Sequence, residues 1–342
     1  MRIVVDAMGG DLAPAAPVEG ALLAARELGV GVILVGRPDQ VREQLRRWGG
    51  PADGLPPGSE VVEATDVVGP DEPPVQAVKH KPNSSLVVAM RLLKERRGQA
   101  LVSAGNTGAL MTAGLFILGR IAGVDRPALG SVFPTRSGRG CLLLDLGAVS
   151  DCKPRNLLEF GLMGSAYARY ALGLERPRVA LLNVGLEEVK GNELVRKAYA
   201  LLKESGLNFI GNVEGRQVPE DAADVVVCDG FTGNILLKFT EGMASAIFGL
   251  IREAASRGAR AKLGGLLIRP ALRRVKGRLD YAEYGGAPLL GLAGVVIKCH
   301  GSSGPKAIRN GIRVARDLAA GGLVEEIARG ISRLGTGREG EA

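Results

Sequence analysis

The chain has 342 residues, of which 46% are hydrophobic and 23% are charged, an ordinary composition for a globular protein of one large or two smaller domains. Aromatic residues make up only 4%, which argues against a protein that stacks the bases of single-stranded nucleic acid. Lys and Arg number 44 against 36 Asp and Glu, so the net charge is +8. This excess favours an acidic partner but does not choose among phosphate, anionic lipid and an acidic protein.

Short runs rich in Val, Ile and Leu recur along the chain and are typical of strands buried on both faces. They cover residues 2–6, 30–35, 100–103, 141–145, 179–184, 225–229 and 295–299, and helical patterns lie between them at 17–28, 84–97, 110–121, 155–172, 192–202 and 234–255. This alternation predicts a layered α/β fold. We expect one large unit over residues 1–333, undivided or in two lobes, and a disordered tail over 334–342.

The four cysteines are widely spaced and form no C-x-x-C pair, so neither a zinc site nor a disulfide framework is indicated. A reducing, cytosolic compartment fits best. The N-terminus leads directly into a strand-like run without the basic and apolar regions of a signal peptide, and no window approaches the 18 uninterrupted apolar residues of a membrane span. We therefore expect a protein that is soluble or held at a membrane surface.

Small and polar residues follow six of the predicted strands directly. Because ligands bind beyond the carboxyl ends of strands in open α/β sheets, these six loops are expected to line one pocket. Any single loop is explained equally well by the backbone and capping needs of a turn, but all six together are not. The candidate residues in these loops are Asp6, Gly9, Gly10, Asp11, Ser103, Gly105, Asn106, Thr107, Gly108, Asn183, Asp229, His300, Ser302 and Ser303.

The loop at residues 103–108 leads into a predicted helix, whose free N–H groups and dipole suit an anion. It lacks the Lys-Ser/Thr of a Walker A loop, and no G-x-G-x-x-G fingerprint occurs in the chain, so nucleotide binding loses its main support. Lys190, in a loop that ends at Asn192, is either a solvated lysine or a point charge for phosphate. Asn234 and Lys238 share a helix face that could meet the same anion.

Of the two histidines, His80 lies among basic residues and is expected to be exposed, whereas His300 follows a buried strand and is the better candidate for site chemistry. No G-x-S-x-G nucleophile elbow is present. The cysteines Cys141, Cys152, Cys228 and Cys299 lie in or beside apolar strands or a turn, where a buried, inert thiol is expected.

Residues 252–278 contain nine basic residues and a single acid, Glu253. We expect a protruding, basic amphipathic helical segment over 245–280, which suits an anionic membrane surface. A helical hairpin that packs its apolar stripe in a dimer interface fits nearly as well, and duplex DNA is a weaker third choice. The residues that would form this surface are Arg260, Lys262, Leu266, Leu267, Ile268, Arg273 and Arg274.

Eight sequence motifs occur in order over nearly the whole chain: VDAMGGD (5–11), KPNSS (81–85), SAGNTGALMTAG (103–114), LLLDLGA (142–148), LLNVGLEEVKGNE (181–193), FIGNVEGR (209–216), DGFTGN (229–234) and YGGAPLLG with HGSS (284–303). Together they resemble the bacterial phosphate acyltransferase of phospholipid synthesis. Leu12 stands where that family usually shows His, and Val149 where Asn usually follows the D-x-G-A turn, so neither position is expected to be catalytic here.

The resemblance implies a three-layer α/β/α Rossmann-like fold of the isocitrate dehydrogenase and phosphotransacetylase type, with a protruding helical hairpin. It implies an enzyme that moves a fatty acyl group from acyl carrier protein to inorganic phosphate, the first step toward phosphatidic acid, with neither metal nor cofactor. It further implies a homodimer in the cytoplasm, peripherally associated with the inner face of the cell membrane, whose product passes to a glycerol-3-phosphate acyltransferase. Nucleic acid is not an expected partner.

Thioester phosphorolysis requires that a phosphate dianion be held against the carbonyl and that fixed donors meet the developing oxyanion. We expect the 103–108 loop and Lys190 to bind phosphate, and Asn234 with a backbone N–H or His300 to stabilise the oxyanion. Three alternatives remain: a phosphotransacetylase that uses acyl-CoA, a nicotinamide-dependent decarboxylating dehydrogenase, and a non-catalytic scaffold for lipid synthesis at the membrane.

Overall fold

Eleven strands form one mixed sheet in the part of the chain described by the computed structural model, which covers residues 1–48, 55–279 and 285–336. The strand order is β3-β2-β1-β4-β11-β10-β5-β6-β9-β7-β8. The strands are β1 (Arg2–Asp6), β2 (Gly31–Gly36), β3 (Glu60–Glu63), β4 (Ala100–Ser103), β5 (Ala128–Phe133), β6 (Cys141–Leu144), β7 (Val179–Asn183), β8 (Phe209–Glu214), β9 (Val225–Val227), β10 (Ala287–Leu290) and β11 (Val295–Lys298).

The sheet consists of two parallel halves that run in opposite directions. Strands β3, β2, β1, β4 and β11 are mutually parallel, and so are β6, β9, β7 and β8. Between the halves, β11 pairs with β10, β10 with β5, and β5 with β6, each time antiparallel. Three reversals leave the second half opposite in direction to the first.

Helices cover both faces of this sheet. Their bounds are α1 (Ala15–Leu28), α2 (Pro38–Arg47), α3 (Pro74–His80), α4 (Ser85–Lys94), α5 (Thr107–Ala113), α6 (Pro154–Ala171), α7 (Glu193–Lys203), α8 (Gly230–Ser256), α9 (Gly258–Leu279), α10 (Pro305–Gly321) and α11 (Leu323–Thr336). A π-helical turn, Gly114–Leu118, continues α5, and a 3₁₀ turn, Gly215–Glu220, follows β8.

Alternation along the strands sends successive side chains to opposite faces. In β1, Ile3 and Val5 join a core with apolar residues of α1, α2, α6, α7, α10 and α11, whereas Val4 joins a second core with α3, α4 and α5. A third cluster packs the second half of the sheet against the 3₁₀ turn and the start of α8. The predicted three-layer α/β/α fold is confirmed.

Helices α8 and α9 form a hairpin that protrudes from the layers. Within α8, the buried residues are Gly230 and Gly233, both in its first turn. Large apolar side chains recur on the exposed surface of α8 every fourth residue: Phe231, Ile235, Phe239, Met243 and Ile247. Among the described residues, α8 is the helix that is long and apolar enough to cross a membrane by length and composition, and none of that apolar window is buried.

The helical hairpin begins well before the predicted boundary at residue 245, because the whole stretch from Gly230 is helical; residue 280 lies outside the described residues. At the C-terminus, α11 continues to Thr336, and Leu334 packs against the first core. The prediction that disorder starts at residue 334 is therefore wrong for residues 334–336, and 337–342 lie outside the described part of the chain.

The close packing of the first turn of α8 can be tested with two glycines of the same helix. A Cβ at Gly233 would fall on the carbonyl oxygen of Asp145, whereas a Cβ at Gly242 would meet open space. We expect Gly233→Ala to lower the free energy of unfolding by about 1–3 kcal/mol. Gly242→Ala should raise it by up to about 1 kcal/mol, because Ala is the better helix former. Urea unfolding measures both, and equal shifts would contradict the packing described.

Candidate active site

Three neighbouring parallel strands end on buried polar residues. Asp6 ends β1, Ser103 ends β4 and Lys298 ends β11, and their exposed fractions are 2%, 1% and 8%. Val5 pairs with Val102, and Lys298 pairs with Ser103. The three residues therefore form one row across the sheet with their side chains on the same face. We call this the Asp6–Ser103–Lys298 row.

The Asp6 carboxylate is surrounded by donors from its own fold. The hydroxyl of Ser103 donates to Oδ2 at 2.8 Å, and the N–H of Met8 donates to Oδ1 at 3.2 Å. The hydroxyl of Ser85 and the N–H of Gly9 also favour the charged carboxylate and lower its pKa. Burial raises the pKa of Asp6, and the four donors oppose that rise. Asp6 therefore organises the loops around it, and its contact with substrate stays a prediction.

Lys298 was not among the residues predicted for the site. Its ammonium donates to the carbonyl of Ala104 at 3.3 Å and to the carbonyl of Cys299. Burial lowers the pKa of Lys298, and the charges of Asp6 and Asp11 work in the opposite direction. The sequence signal was a lysine that ends an otherwise apolar strand, VVIK.

The loops that follow these three strands touch one another. The N–H of Asp11 donates to the carbonyl of Gly301 at 2.8 Å. A Cβ at Gly9 would lie 2.6 Å from Oδ2 of Asp6 and 2.7 Å from the N of Gly105, and Gly10 has φ of +100°. Glycine is needed at both positions because the backbones approach closely and one of them is left-handed. The structure thus brings three of the six predicted loops together.

In the 103–108 loop, most of the predicted anion-binding groups already have partners. The hydroxyl of Ser103 also accepts the N–H of Gly105 at 3.0 Å. Asn106 caps α5 by accepting the N–H of Ala109 at 3.0 Å. The Asn106 amide donates to three backbone carbonyls, those of Gly69, Pro70 and Glu72. Thr107 is exposed and Gly108 is half-buried; phosphate binding by this loop stays a prediction.

His300 is exposed beyond the end of β11. Its Nδ1 lies 2.8 Å from the hydroxyl of Ser302 and accepts the N–H of Ser302 at 3.2 Å. Ser303 is buried, and its N–H donates to the carbonyl of His300 at 3.0 Å. These contacts fix the imidazole and the turn against each other.

The second group of loops follows β6, β7 and β9. Asp145, directly after β6, is fully buried and accepts N–H groups of Leu129, Ala148 and Val149 at 2.9, 3.1 and 2.7 Å. Burial raises the pKa of Asp145, against the effect of these donors. Asp229 accepts both the N–H and the hydroxyl of Thr232, so it caps α8, which was the alternative stated from its sequence position.

The loop after β7 is shaped by its two asparagines. Asn183 donates to the carbonyl of Lys190 at 3.2 Å and accepts the N–H of Val184 at 2.8 Å. Asn192 caps α7 by accepting the N–H of Val195 at 2.9 Å. The loop that these contacts hold presents the Lys190 side chain to solvent.

At the start of α8, Asn234 is exposed and lies beside Gly147 of the loop after β6. Lys238, on the same face, forms an ion pair with Glu241 at 2.9 Å. Asn234 therefore lies beside the loop that follows β6, whereas the ammonium of Lys238 is paired with the carboxylate of Glu241.

The six loops do not share one carboxyl edge of the sheet, because β6, β7 and β9 run opposite to β1, β4 and β11. This corrects the premise that all six strands end at the same edge. The 103–108 loop and His300 belong to the first group of loops, whereas Lys190 and Asn234 belong to the second. The predicted phosphate site and the predicted oxyanion site therefore each combine residues from both groups.

The predicted surface residues of the hairpin are exposed as far as they are described. Leu266, Leu267 and Ile268 are large exposed apolar side chains, and Arg260 and Lys262 are exposed beside them. The side chains of Arg273 and Arg274 lie outside the described residues.

The thiols are poorly suited to covalent chemistry. Cys141, Cys228 and Cys299 are buried and Cys152 is partly buried. Burial raises the pKa of Cys141, Cys152 and Cys299 to about 12, so these thiols are protonated at neutral pH. Within the described ranges, no group of three or more His, Cys, Asp or Glu side chains is arranged to hold a metal ion.

The fold is similar to that of solved phosphotransacetylases. A phosphotransacetylase from Staphylococcus aureus superposes with a TM-score of 0.60 at 16% identity, covering 93% of this chain and 94% of that one. A phosphotransacetylase from Streptococcus pyogenes gives a TM-score of 0.58, also at 16% identity, over 97% and 94%. At such identities the likeness establishes the fold.

The family follows from sequence comparison. A family model described as fatty acid synthesis protein matches residues 1–326. A phosphate acyltransferase of Desulfitobacterium hafniense is 53% identical over 340 residues, 99% of this chain and 100% of the relative. One of Heliobacterium modesticaldum is 56% identical over 316 residues, 92% and 93% of the two chains. The chain belongs to the phosphate acyltransferase family, which confirms the resemblance read from its motifs, and it is an acyltransferase.

Proposed function

We propose that the protein transfers a long fatty acyl chain from acyl carrier protein to inorganic phosphate, which is the first step toward phosphatidic acid in phospholipid synthesis. Identity of about half over nearly the full length with phosphate acyltransferases carries this proposal. The acyl phosphate formed would be consumed by a glycerol-3-phosphate acyltransferase. The family assignment covers acyl transfer to phosphate. The acyl carrier protein as donor and the pathway are what we propose in addition.

The chemistry needs positioning more than strong acids or bases. An oxygen of phosphate attacks the thioester carbonyl carbon, a tetrahedral oxyanion forms, and the carbon–sulfur bond breaks as the thiolate leaves and takes up a proton. Phosphate is already charged at neutral pH, so no powerful general base is required. The protein contributes fixed donors and a fixed distance between the two reactants.

Lys190 and Asn234 are the residues that we assign to phosphate and to the oxyanion. The loop that presents Lys190 follows β7 and the helix that carries Asn234 follows β9, and these strands are hydrogen-bonded neighbours in parallel register. Neighbouring strands lie about 4.8 Å apart, so the two loops start side by side. Both side chains are exposed, which makes them accessible to two soluble reactants.

Exposed apolar residues beside Lys190 and Asn234 favour a long-chain donor. Val184 and Val189, in the loop of Lys190, are 78% and 76% exposed, and Phe231, three residues before Asn234, is 64% exposed. Large apolar side chains grouped around polar loops are typical of a surface that binds an apolar ligand. A thioester with a long alkyl chain has that combination of a polar reacting end and an apolar body.

The direct test is to incubate the protein with a long-chain acyl-acyl carrier protein and phosphate and to trap acyl phosphate with hydroxylamine. We expect phosphate-dependent hydroxamate. Turnover of short acyl-CoA without turnover of the carrier-protein substrate would instead indicate a phosphotransacetylase. Absence of product from every thioester would contradict the proposed acyl transfer and favour a non-catalytic scaffold for lipid synthesis. A nicotinamide-dependent oxidation would indicate a decarboxylating dehydrogenase.

Replacing Lys190 or Asn234 by Ala should lower the rate of acyl phosphate formation at least about tenfold, a loss of roughly 1.4 kcal/mol of transition-state stabilisation. Lys197→Ala is the matched control, since Lys197 is an exposed lysine on the following helix that pairs with Glu193. Unchanged turnover in both site variants would contradict the assignment.

The hairpin of α8 and α9 supports two further parts of the proposal, a homodimer and peripheral association with the inner face of the cell membrane. The exposed apolar stripe of α8 suits a second copy of the hairpin. The basic residues of α9, together with exposed Leu266, Leu267 and Ile268, suit anionic lipid, where each basic residue near the surface contributes about 1 kcal/mol. The same basic residues could steer an acidic carrier protein.

Liposome flotation separates lipid from carrier protein as the partner of α9. Changing Leu266, Leu267 and Ile268 together to Ser should abolish flotation with vesicles that contain phosphatidylglycerol and leave turnover of the soluble substrates intact. Val75→Ser is the control, because Val75 is an exposed apolar residue on α3, outside the hairpin. Retained flotation with lost turnover would assign the surface to the carrier protein.

A further inference from the structure

The Asp6–Ser103–Lys298 row contains two buried charged residues in strands that are otherwise apolar except for Arg2 at the start of β1. The three residues that precede Lys298 in β11 are Val295, Val296 and Ile297. A fourth apolar residue would have fitted this strand, because replacing buried ions by apolar side chains is often neutral or stabilising. Stability of the strand therefore gives no reason for a lysine.

The ammonium of Lys298 links loops that are distant in sequence. It donates to the carbonyl of Ala104, the first residue after β4, and to the carbonyl of Cys299, the first residue after β11. Its charge also interacts with the carboxylates of Asp6 and Asp11, which belong to the loop after β1. The Lys298 side chain thus donates to two of the three loops in the first group and interacts with the carboxylate charges of the third.

The same three loops approach each other at backbone distance through glycines. A Cβ at Gly9 or Gly10 would collide with atoms of Asp6, Ala104, Gly105 or Gly301. Glycine-rich loops of this kind let backbone N–H groups come close to a small anion. The difficulty for an anion here is electrostatic, since the buried carboxylate of Asp6 and the carboxylate of Asp11 lie in the same place.

We propose that Lys298 is a positioning residue for phosphate, the buried counter-charge that allows the loops after β1, β4 and β11 to receive a phosphate dianion beside the carboxylate of Asp6. This inference rests on the proposed function for the identity of the anion. Without Lys298 the carboxylate stays and the charge that balances it is gone, so phosphate is repelled. The ammonium acts through the loops and through Asp6, without touching the acyl donor.

The expected effect is selective for phosphate. Lys298→Met should raise the KM for phosphate at least about tenfold, because the carboxylates of Asp6 and Asp11 then repel the dianion without the ammonium charge that interacts with both. The KM for the acyl donor should stay within about threefold of wild type. Lys94→Met, at the exposed last position of α4, is the matched control. Equal changes in both KM values would overturn the proposal.

A double variant distinguishes a counter-charge from a structural contact. Asp6→Asn combined with Lys298→Met removes both charges, and the KM for phosphate should return to within about threefold of wild type. A merely structural role predicts that the two substitutions add or worsen each other. The double variant leaves no unbalanced buried ion, so it stays informative if Lys298→Met alone does not fold. A tenfold higher KM in the double variant would overturn the proposal.

Direct binding keeps this test separate from the proposed function. Titration calorimetry with inorganic phosphate measures affinity in wild type and in each variant without any acyl donor. Wild type that binds phosphate but forms no acyl phosphate would contradict the proposed function and leave the role of Lys298 standing. Wild type and Lys298→Met that bind phosphate equally would overturn that role, whatever the activity.

Discussion

Three antiparallel strand pairs, β11 with β10, β10 with β5 and β5 with β6, determine which parts of this protein can meet. A parallel sheet collects its functional loops at the carboxyl ends of its strands. Here two parallel halves are joined through strands that reverse direction, so each half has its own set of carboxyl ends. The hydrogen bonds of β10 and β5 therefore decide that Asp6, Ser103 and Lys298 form one group and that Asp145, Asn183 and Asp229 belong to another.

Strands buried on both faces were predictable because nothing but apolar side chains suits that position. All seven predicted runs became strands, with ends that differ from the prediction by two residues at most. The strands that escaped notice have other surroundings. β3, with sequence EVVE, and β8, with sequence FIGNVE, lie at the two edges of the sheet. β5 is interrupted by Gly130 and Ser131, and β10 contains Pro288. β5 and β10, which connect the two parallel halves through antiparallel pairs, thus lack the long apolar run that marks a buried strand. For that reason the sequence did not predict the direction of the second half of the sheet.

The candidate site was predictable at the level of loops and less so at the level of atoms. Asn106, Asn192 and Asp229 do lie at strand or helix ends, but each accepts N–H groups of its own helix. The carbonyls that accept from the Asn106 amide belong to Gly69, Pro70 and Glu72, more than thirty residues away, and no local pattern indicates them. Lys298 ends an apolar run in the sequence, but only the strand register places it in a row with Asp6 and Ser103.

The two groups of loops differ in character. The first group offers close glycine backbones and buried charges, which suit a small anion. The second offers the exposed side chains of Lys190, assigned to phosphate, and Asn234, assigned to the oxyanion, and the same loop and helix carry the exposed apolar residues Val184, Val189 and Phe231, which suit an acyl thioester. Phosphate and thioester must nevertheless meet at bonding distance, so the groups have to face a common space.

Sheet twist supplies a physical route to that meeting. Strands β4 and β9 are five steps apart in the strand order, and neighbouring strands turn by roughly 20–25° at each step. A typical twist therefore rotates β9 by roughly 100–125° relative to β4. At that twist, directions that oppose each other in a flat sheet would differ by roughly 55–80°, which would turn the carboxyl ends of the two halves toward one face. The same antiparallel strands that separate the loops in topology set the number of steps over which the twist accumulates, and a shorter connection would leave the two halves pointing apart.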